Sequence, residues 1–503
     1  MKIERTQNAK RNILYGLFLK VYQILIPFFM RTIMIYLLGI QYAGLNNLFS
    51  SIFQFLNLAE LGIGAALTSS MYEPIATDDT EKICKLLNLY RRCFNIIGVI
   101  IFLLGMLVFP FLKYLIKGTV PGDLNIYILF ILYLFNTVLS YWLFSYKKSL
   151  VYAFQRTDIV SKIMIFTYTF QYIGQSIVLF VFKNYYAYLI ISIISQILNN
   201  LLSNYIVNKI YPIYKPRGLL DKKTLKNIKE KVYGLITNKI GGVILRSSDS
   251  IVISSFLGLT ELAIYQNYYF ILSAIINLIA VFFEACLAGI GNSLIIEGKE
   301  KNFKDFKVMT FITFWVVTIC SCCLLSLYQP FMEIWVGKKY VMDYSLVICL
   351  VIYFMFYEID ALLGTFKDAA GIWFKDRFRP LITALCNLGL SIFLVNYMGL
   401  FGVLLATILS MVLIGIPWLI QNTFQSLFNK EYKKEYIIYI CKLTLIGIAI
   451  SILCILLTEW IHVNIYISLV LKGIVCVSIP SIIIFLIFNN SFEFDRTVKL
   501  LKR

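Results

Sequence analysis

Charge is scarce in this chain of 503 residues, of which only 15% are Asp, Glu, Lys or Arg whereas 60% are hydrophobic. The mean hydropathy of +0.80 lies far outside the usual balance of a soluble domain. A soluble enzyme with one or two membrane anchors would contain a long polar stretch, and the chain has none. The composition therefore predicts an all-α polytopic membrane protein, because helices satisfy their own backbone hydrogen bonds in lipid.

The common nucleotide-binding and catalytic motifs are also missing. The chain has one histidine, no G-x-x-x-x-G-K-[ST] phosphate loop, no H-E-x-x-H and no G-x-S-x-G. Its eleven cysteines lie mostly in apolar runs, as in "CSCC" at 320–323, and none has the spacing of a zinc site. We therefore expect a secondary-type transporter without an ATPase motif, not an enzyme, and we predict neither a metal site nor a cofactor.

Apolar runs of the length that crosses a bilayer, about 17 to 25 residues, occur fourteen times. They predict about 14 transmembrane helices with both termini on the same side of the membrane. These runs lie near 13–38, 45–71, 87–111, 124–145, 160–182, 185–208, 233–256, 262–296, 308–330, 344–366, 381–397, 400–420, 437–457 and 464–489.

The cations are distributed unequally between the two sets of alternate loops. One set, together with both tails, holds 36 of the 46 Lys and Arg residues, whereas the other set holds five. This asymmetry predicts cytoplasmic termini and a multi-pass protein of the cytoplasmic (inner) membrane. It also explains the net charge of +19 through loops that face anionic lipid, so no nucleic-acid partner is expected.

Two pairs of similar segments indicate an internal repeat of about 220 residues. "YLLGI" contains Gly39 and "SFLGL" contains Gly258, and in a second pair of segments Lys147 corresponds to Lys367. The offset covers six spans, which predicts two six-helix lobes as a parallel pseudo-repeat with a site between them. The expected domains are an N-terminal lobe at 1–208, a basic cytoplasmic inter-lobe loop at 209–232, a C-terminal lobe at 233–420, and helices 13 and 14 with the cytoplasmic tail at 421–503.

Four cations within the spans form a matched pattern. Lys20 and Arg31 are eleven residues apart on the first span, whereas Lys239 and Arg246 are seven apart on the seventh. Each pair shares one face of its helix. If both faces line the gap between the lobes, they form a cationic cavity that suits phosphate or diphosphate, because guanidinium and ammonium groups pair well with these anions.

Acidic residues also occur within the spans, and their role remains open at this stage. They could balance the cations, relay protons or bind a coupling cation. Helical rise places Glu60 nearer to Lys20 than to Arg31, so we predict that Glu60 steadies Lys20 and leaves Arg31 for the substrate. The full set is Glu60, Asp249, Glu284, Glu358 and Asp360.

The run from Arg31 to Ile83 resembles the first helical hairpin of the Wzx-type polysaccharide flippases, or lipid-linked oligosaccharide flippases. The shared features are the opening Arg, "LLG", "YAGLNNLF", "LNLAELGIG" and the acidic "TDD" before the third span. These flippases form the polysaccharide-transporter branch of the multidrug/oligosaccharidyl-lipid/polysaccharide exporter superfamily. Beyond this run, the chain is similar to the family in span count, lobes and loop lengths.

The resemblance implies a flippase that moves an undecaprenyl-diphosphate-linked oligosaccharide repeat unit from the inner to the outer leaflet by alternating access. The products would enter capsule, exopolysaccharide or O-antigen assembly, with polysaccharide assembly proteins as further partners beside the lipid bilayer. By position, Arg31 and Arg246 would engage the diphosphate with support from Lys20 and Lys239, and helices 13 and 14 would hold the lipid tail. Two alternatives remain, a multidrug/cation antiporter of the same fold and a membrane polysaccharide polymerase or ligase.

Overall fold

The computed structural model describes residues 5–60, 63–429, 431–461 and 463–501, and these ranges contain helices and no strand. Most of the helices are long and apolar, and short 3-10 or π-helical turns extend or join several of them. The α-helices are α1 (Arg5–Leu37), α2 (Ile40–Leu56), α3 (Ile63–Ala76), α4 (Thr80–Val108), α5 (Ile126–Trp142), α6 (Lys148–Ala153), α7 (Thr157–Ile177), α8 (Tyr185–Ile210), α9 (Lys222–Phe256), α10 (Leu259–Ile296), α11 (Lys299–Val336), α12 (Tyr344–Ala369), α13 (Trp373–Asp376), α14 (Arg379–Ser410), α15 (Ile416–Ser426), α16 (Tyr432–Glu459), α17 (Ile465–Phe488) and α18 (Phe492–Leu501).

Ten helical segments of the described residues are long and apolar enough to cross a membrane, or eleven if the bent pair α5–α6 forms one span. Within the described residues, most of each of the fourteen predicted apolar runs nevertheless lies on helix. The counts differ because α2 and α3 divide the second run, and because α9 carries charged residues within its apolar half. In addition, the eleventh and twelfth runs are continuous across a kink at Gly399, where φ is 55° and ψ is −133°. The chain is therefore a multi-pass membrane protein, and the predicted all-α class is confirmed.

The first compact unit comprises residues 1–263. In it α1 packs on α7, α7 on α8, and α2 on α9. Phe49, Phe53, Phe130 and Tyr133 form an aromatic core between α2 and α5, with Phe53 and Phe130 ring centroids 5.1 Å apart. Gly44 lets α2 approach the α9–α10 turn closely, since a Cβ at this position would lie 2.3 Å from the carbonyl oxygen of Leu259.

The second compact unit comprises residues 264–503 and is arranged around α11, which packs against α12, α16 and α17. Its aromatic core joins α11 to α15 and α16 through Phe303, Phe306, Phe424, Phe428 and Tyr436. The contacts of α9 with α2 and α3 group it with the first unit. The lobe boundary expected near residue 233 stays a prediction.

The glycines that revealed the repeat have the same local role in the structure. Gly39 lies between α1 and α2 with φ 116°, and Gly258 lies between α9 and α10 with φ 99°. The amide of Gly39 donates to the carbonyl of Met34 and that of Gly258 donates to Ile253, five residues back in both cases. Glycine is favoured at both turns because positive φ is costly for residues with a Cβ.

Candidate functional site: a polar layer around Arg31

Arg31 is partly buried in the apolar surface of α1. Its Nη1 donates a hydrogen bond to Oδ1 of Asn47 at 3.1 Å, and its Nη2 donates to the carbonyl oxygen of Ala263 at 3.3 Å. These two hydrogen bonds connect α1 to α2 and to the start of α10. They orient the guanidinium, whose planar set of donors matches the oxygens of carboxylates and phosphates.

Amides and tyrosines continue this polar layer along α2. The Nδ2 of Asn47 is buried without a hydrogen-bond partner within the described residues. At the adjacent position, Oδ1 of Asn46 accepts from the hydroxyl of Tyr133, which lies 3.0 Å from the hydroxyl of Tyr185. Amides and hydroxyls both donate and accept, so the layer can exchange hydrogen bonds with sugar hydroxyls as well as with phosphate oxygens.

Of the three other predicted cations, Lys20 has a described side chain and the two on α9 do not. Lys20 is exposed on α1, eleven residues before Arg31. Lys239 and Arg246 lie on α9, but their side chains fall outside the described part of the chain, so the second cationic face stays a prediction. Asp249 is buried on α9, and Glu284 is exposed on α10.

Glu60 ends a short 3-10 helix, Asn57–Glu60, that follows α2. Its Oε2 accepts a hydrogen bond of 2.7 Å from the hydroxyl of Tyr141 on α5, which lies 3.2 Å from Oδ1 of Asn57. An ion pair with Lys20 is not among the contacts of Glu60 that the described residues make. The neighbouring Gly62 lies outside the described residues.

Glu358 and Asp360 are two residues apart on α12 and have different surroundings. Oδ1 of Asp360 accepts from Nη1 of Arg379 at 2.9 Å, so this carboxylate balances a nearby cation. Glu358 is 1% exposed, and its Oε1 has no hydrogen-bond partner within the described residues. An isolated buried carboxyl is costly, so of these two acids Glu358 is the one whose position calls for a functional explanation.

A second charged group, which the sequence did not single out as a site, lies where α12, α13 and α14 meet. Asp376 is fully buried, and its Oδ1 accepts from Nε of Arg379 at 2.8 Å and from Nδ2 of Asn422 at 3.0 Å. Its Oδ2 lies 3.4 Å from Nζ of Lys367, which also contacts Asp368 at 3.0 Å. The alternating charges in "FKDRFR" at 374–379 were the feature of the sequence that could have revealed this group. This group is structural in geometry, since every charge in it faces an opposite one.

Metal binding finds no support in the residues that the structure describes, where no group of three or more His, Cys, Asp or Glu side chains is arranged to hold an ion. All eleven cysteines are free thiols. Outside the spans, a hydrogen bond from Thr224 lowers the pKa of Asp221, which caps the N-terminus of α9. The candidate site is therefore the polar layer around Arg31, with Glu358 as a separate buried acid.

Comparison with known proteins gives one family and several similar folds. The family described as "Polysaccharide biosynthesis protein" matches residues 9–287, more than half of the chain. No curated protein sequence matches closely enough to count as a relative. The lipid II flippase MurJ, in an inward closed conformation, has a similar structure with a TM-score of 0.67 and 19% identity, over 94% of this chain and 99% of that one.

Multidrug transporters share the fold as well. An inward-facing multidrug resistance MATE family transporter of the MOP superfamily gives a TM-score of 0.64 at 13% identity, covering 84% of this chain and 96% of that one. A mutant of the MATE transporter VcmN of Vibrio cholerae gives a TM-score of 0.58 at 14% identity, covering 84% of this chain and 98% of that one. At these identities the likeness shows the fold alone, which is that of MOP-superfamily transporters.

Proposed function

Because this chain belongs to the polysaccharide biosynthesis protein family, we propose that it is a flippase that moves an undecaprenyl-diphosphate-linked oligosaccharide repeat unit from the inner to the outer leaflet. One observation carries the proposal. Arg31 lies beside a layer of amides and tyrosine hydroxyls and donates to Asn47 within it, and a guanidinium together with such groups suits a diphosphate joined to sugars. The protein would act by alternating access in the cytoplasmic membrane, with both termini cytoplasmic.

Each candidate residue has a distinct role in this proposal. Arg31 and Arg246 would engage the diphosphate, with support from Lys20 and Lys239, while α16 and α17 would hold the lipid tail. Glu358 is the preferred ion-coupling residue, because its buried Oε1 could exchange a proton or meet a cation during the cycle. Asp249, Glu284 and Glu60 would balance charge, and Asp360 would do so through Arg379.

The decisive experiment follows lipid-linked repeat units after depletion of the protein and re-expression of variants. Depletion should make these units accumulate on the inner leaflet. Arg31→Ala should fail to relieve the accumulation, whereas Arg31→Lys should relieve it in part, because a lysine keeps the charge but not the two-pronged hydrogen bonding. Arg92→Ala, which removes an exposed arginine from α4, serves as the matched control and should behave like the unaltered protein.

The competing functions predict different products. Unpolymerised repeat units on the outer leaflet would favour a polysaccharide polymerase or ligase. Normal repeat units together with reduced dye efflux would favour a multidrug/cation antiporter, which the MATE-like fold makes the second candidate. Full activity of Arg31→Ala would contradict the role proposed for the polar layer around Arg31.

A further inference from the structure

A short aromatic stretch between α12 and α14 is exposed in the second unit. Trp373, Phe374 and Phe378 are 52%, 74% and 47% exposed. The guanidinium carbon of Arg377 lies 4.0 Å from the ring centroid of Phe374 and 4.7 Å from that of Phe378. We call these four residues, Trp373, Phe374, Arg377 and Phe378, the α13 patch. Exposed aromatic side chains that cluster in this way, unlike scattered ones, mark a surface that another molecule covers.

Polar contacts hold α13 to the rest of the second unit. Asp376 is fully buried in the charged group described above. Nε1 of Trp373 donates to Oδ1 of Asp368 at 3.0 Å, and Nζ of Lys375 donates to Oγ of Ser426 at 3.2 Å. The α13 patch therefore keeps a fixed position at the surface of the unit.

The α13 patch lies in a stretch that lengthens this turn relative to the first unit. In the first unit α7 begins at Thr157, two residues after Gln155, which has a positive φ. In the second unit α14 begins at Arg379, eight residues after Gly371, which also has a positive φ. The shorter turn shows that the additional residues are not needed to join two helices. Their aromatic character therefore favours a role at the surface.

The face of α14 that continues from Phe378 meets lipid. Its exposed side chains are apolar, namely Ile382, Leu385 and Phe393. The buried side of the same helix carries polar residues, namely Thr383, Asn387 and Ser391. Polar side chains of a membrane-spanning helix turn towards the protein interior, which leaves the apolar ones for the lipid. Because Phe378 precedes Ile382 by about one turn, it begins this lipid-facing surface.

The α13 patch lies at one end of the part of α14 that can cross the hydrocarbon core. Nineteen residues separate Phe378 from Tyr397, an exposed tyrosine near the other end of that part. They correspond to about 29 Å of helix, close to the ~30 Å thickness of the core. Trp and Tyr are enriched at both boundaries between membrane and water, and Trp373 and Tyr397 fit these two levels.

The α13 patch also contains a cation with hydrogen-bond donors to offer. In the described part of the chain, the guanidinium of Arg377 stacks on two rings and donates no hydrogen bond. Its planar donors match the phosphate oxygens that phospholipid headgroups carry. We propose that α13 is an interfacial anchor, in which the three aromatic rings lie among the headgroups of one leaflet and Arg377 binds a phospholipid phosphate. The anchor holds the adjoining ends of α12 and α14 at the membrane surface, whichever substrate the protein transports.

The test measures the fluorescence of Trp373 in the full-length protein, reconstituted in phosphatidylcholine nanodiscs. Spin-labelled phosphatidylcholine quenches nearby indoles and carries its label either on the headgroup or near the end of an acyl chain. The emission of Trp373 is the difference between the unaltered protein and Trp373→Phe. The headgroup label should remove more of this emission than the chain-end label. Trp335→Phe, which removes a buried indole, is the matched control and should leave the amount of quenchable emission unchanged.

A second set of variants tests the phosphate contact. Arg377→Glu places a negative charge against the headgroup phosphates, so the emission of Trp373 should become more accessible to acrylamide in the water. Arg377→Lys keeps the positive charge and should change this accessibility less. Arg496→Glu makes the same change of charge at an exposed arginine beside the ring of Phe492 on α18, and as the control it should leave Trp373 unaffected.

Three results would overturn the proposal. Stronger quenching by the chain-end label would place the α13 patch in the hydrocarbon core. Quenching of Trp373 by acrylamide but by neither lipid label would leave the patch in water, open to a partner protein. Equal effects of Arg377→Glu and Arg496→Glu would show a general effect of charge and no phosphate contact at Arg377.

Discussion

Neutralising Asp376 should destabilise the second unit more than neutralising any exposed acid near it. The carboxylate is fully buried, while the side chains of Lys367 and Arg379 are each 9% exposed. Asp376→Asn keeps the shape of the side chain and removes the charge that both cations face. Breaking a buried ion pair by removing one partner costs about 3–5 kcal/mol. Asp360 and Asp368 still contact the two cations, so we expect the lower end of this range.

The resulting shift in melting temperature can be worked out from the size of the unit. For a domain of about 150–250 residues, each kcal/mol lowers the melting temperature by roughly 2–4 °C, so a loss of about 3 kcal/mol gives roughly 6–12 °C. Asp368→Asn is the matched control. Its carboxylate is 47% exposed, so its loss costs about 1 kcal/mol at most and shifts the melting temperature by no more than about 4 °C.

Buried thiols provide the assay. Cys322, Cys454 and Cys476 are fully buried in the second unit as free thiols, so a thiol-reactive fluorophore reports their exposure as detergent-solubilised protein is heated. Asp376→Asn should react at a lower temperature than Asp368→Asn. A melting temperature within about 2 °C of the unaltered protein, or a larger shift for Asp368→Asn, would refute the reasoning that the buried carboxylate holds this corner together.

Three further perturbations follow from particular contacts. Gly44→Ala should lower the melting temperature, because its Cβ would lie 2.3 Å from the carbonyl oxygen of Leu259 and overpacking typically costs about 1–3 kcal/mol. Tyr141→Phe should cost about 1 kcal/mol and raise the proteolytic sensitivity of the segment after α2, since Glu60 loses its donor. The depressed pKa of Asp221 means that its cap stabilises α9 above the ordinary aspartate pKa, so the protection of amides at the start of α9, measured relative to their intrinsic exchange rate at each pH, should decrease as pH falls through the lowered value.

Each of these perturbations has a matched control. Gly16→Ala on α1 meets no atom within 4 Å and should be neutral or stabilising, because alanine is the better helix former; a loss equal to that of Gly44→Ala would show that the close contact with Leu259 does not decide the outcome. Tyr114→Phe removes an exposed hydroxyl and should leave proteolysis unchanged. Asp221→Asn should keep the cap and lose its pH dependence, and persistence of that dependence would assign it to another group.

The helical fold follows from the sequence because apolar length and glycine position act locally. The runs of apolar residues marked the helices, and Gly39 and Gly258 marked two turns that share a positive φ and the same hydrogen-bond pattern. The second repeat anchor was less reliable. Lys147 and Lys367 are both buried, but the turn that follows aligns Gln155 with Gly371, each at positive φ and four residues out of step with the lysines. Side-chain identity alone could not detect that shift.

The sequence could not predict which side chains pair with the charged residues, because each partner comes from a different helix. Helical rise placed Glu60 near Lys20, yet the donor it meets is Tyr141, eighty-one residues away on α5. Asp360 looked equivalent to Glu358 until α14 brought Arg379 to it. In both cases the prediction used only the depth of the acid along its own helix. The partner that the acid actually contacts lies on another helix.

Compensation of charge therefore separates functional candidates from structural ones in this protein. A charge that faces an opposite charge at close range, as in Asp360 and Asp376, gains its main effect in the folded state and has little left to offer a ligand. Glu358 has a buried oxygen with no hydrogen-bond partner within the described residues, and Arg31 donates to the polar layer on α2. Since a transporter must bind its substrate and release it, the groups that carry out this work are those whose interactions change during the cycle. Substitutions at Arg31 and Glu358 should consequently alter transport more than thermal stability, and substitutions at Asp376 should do the reverse.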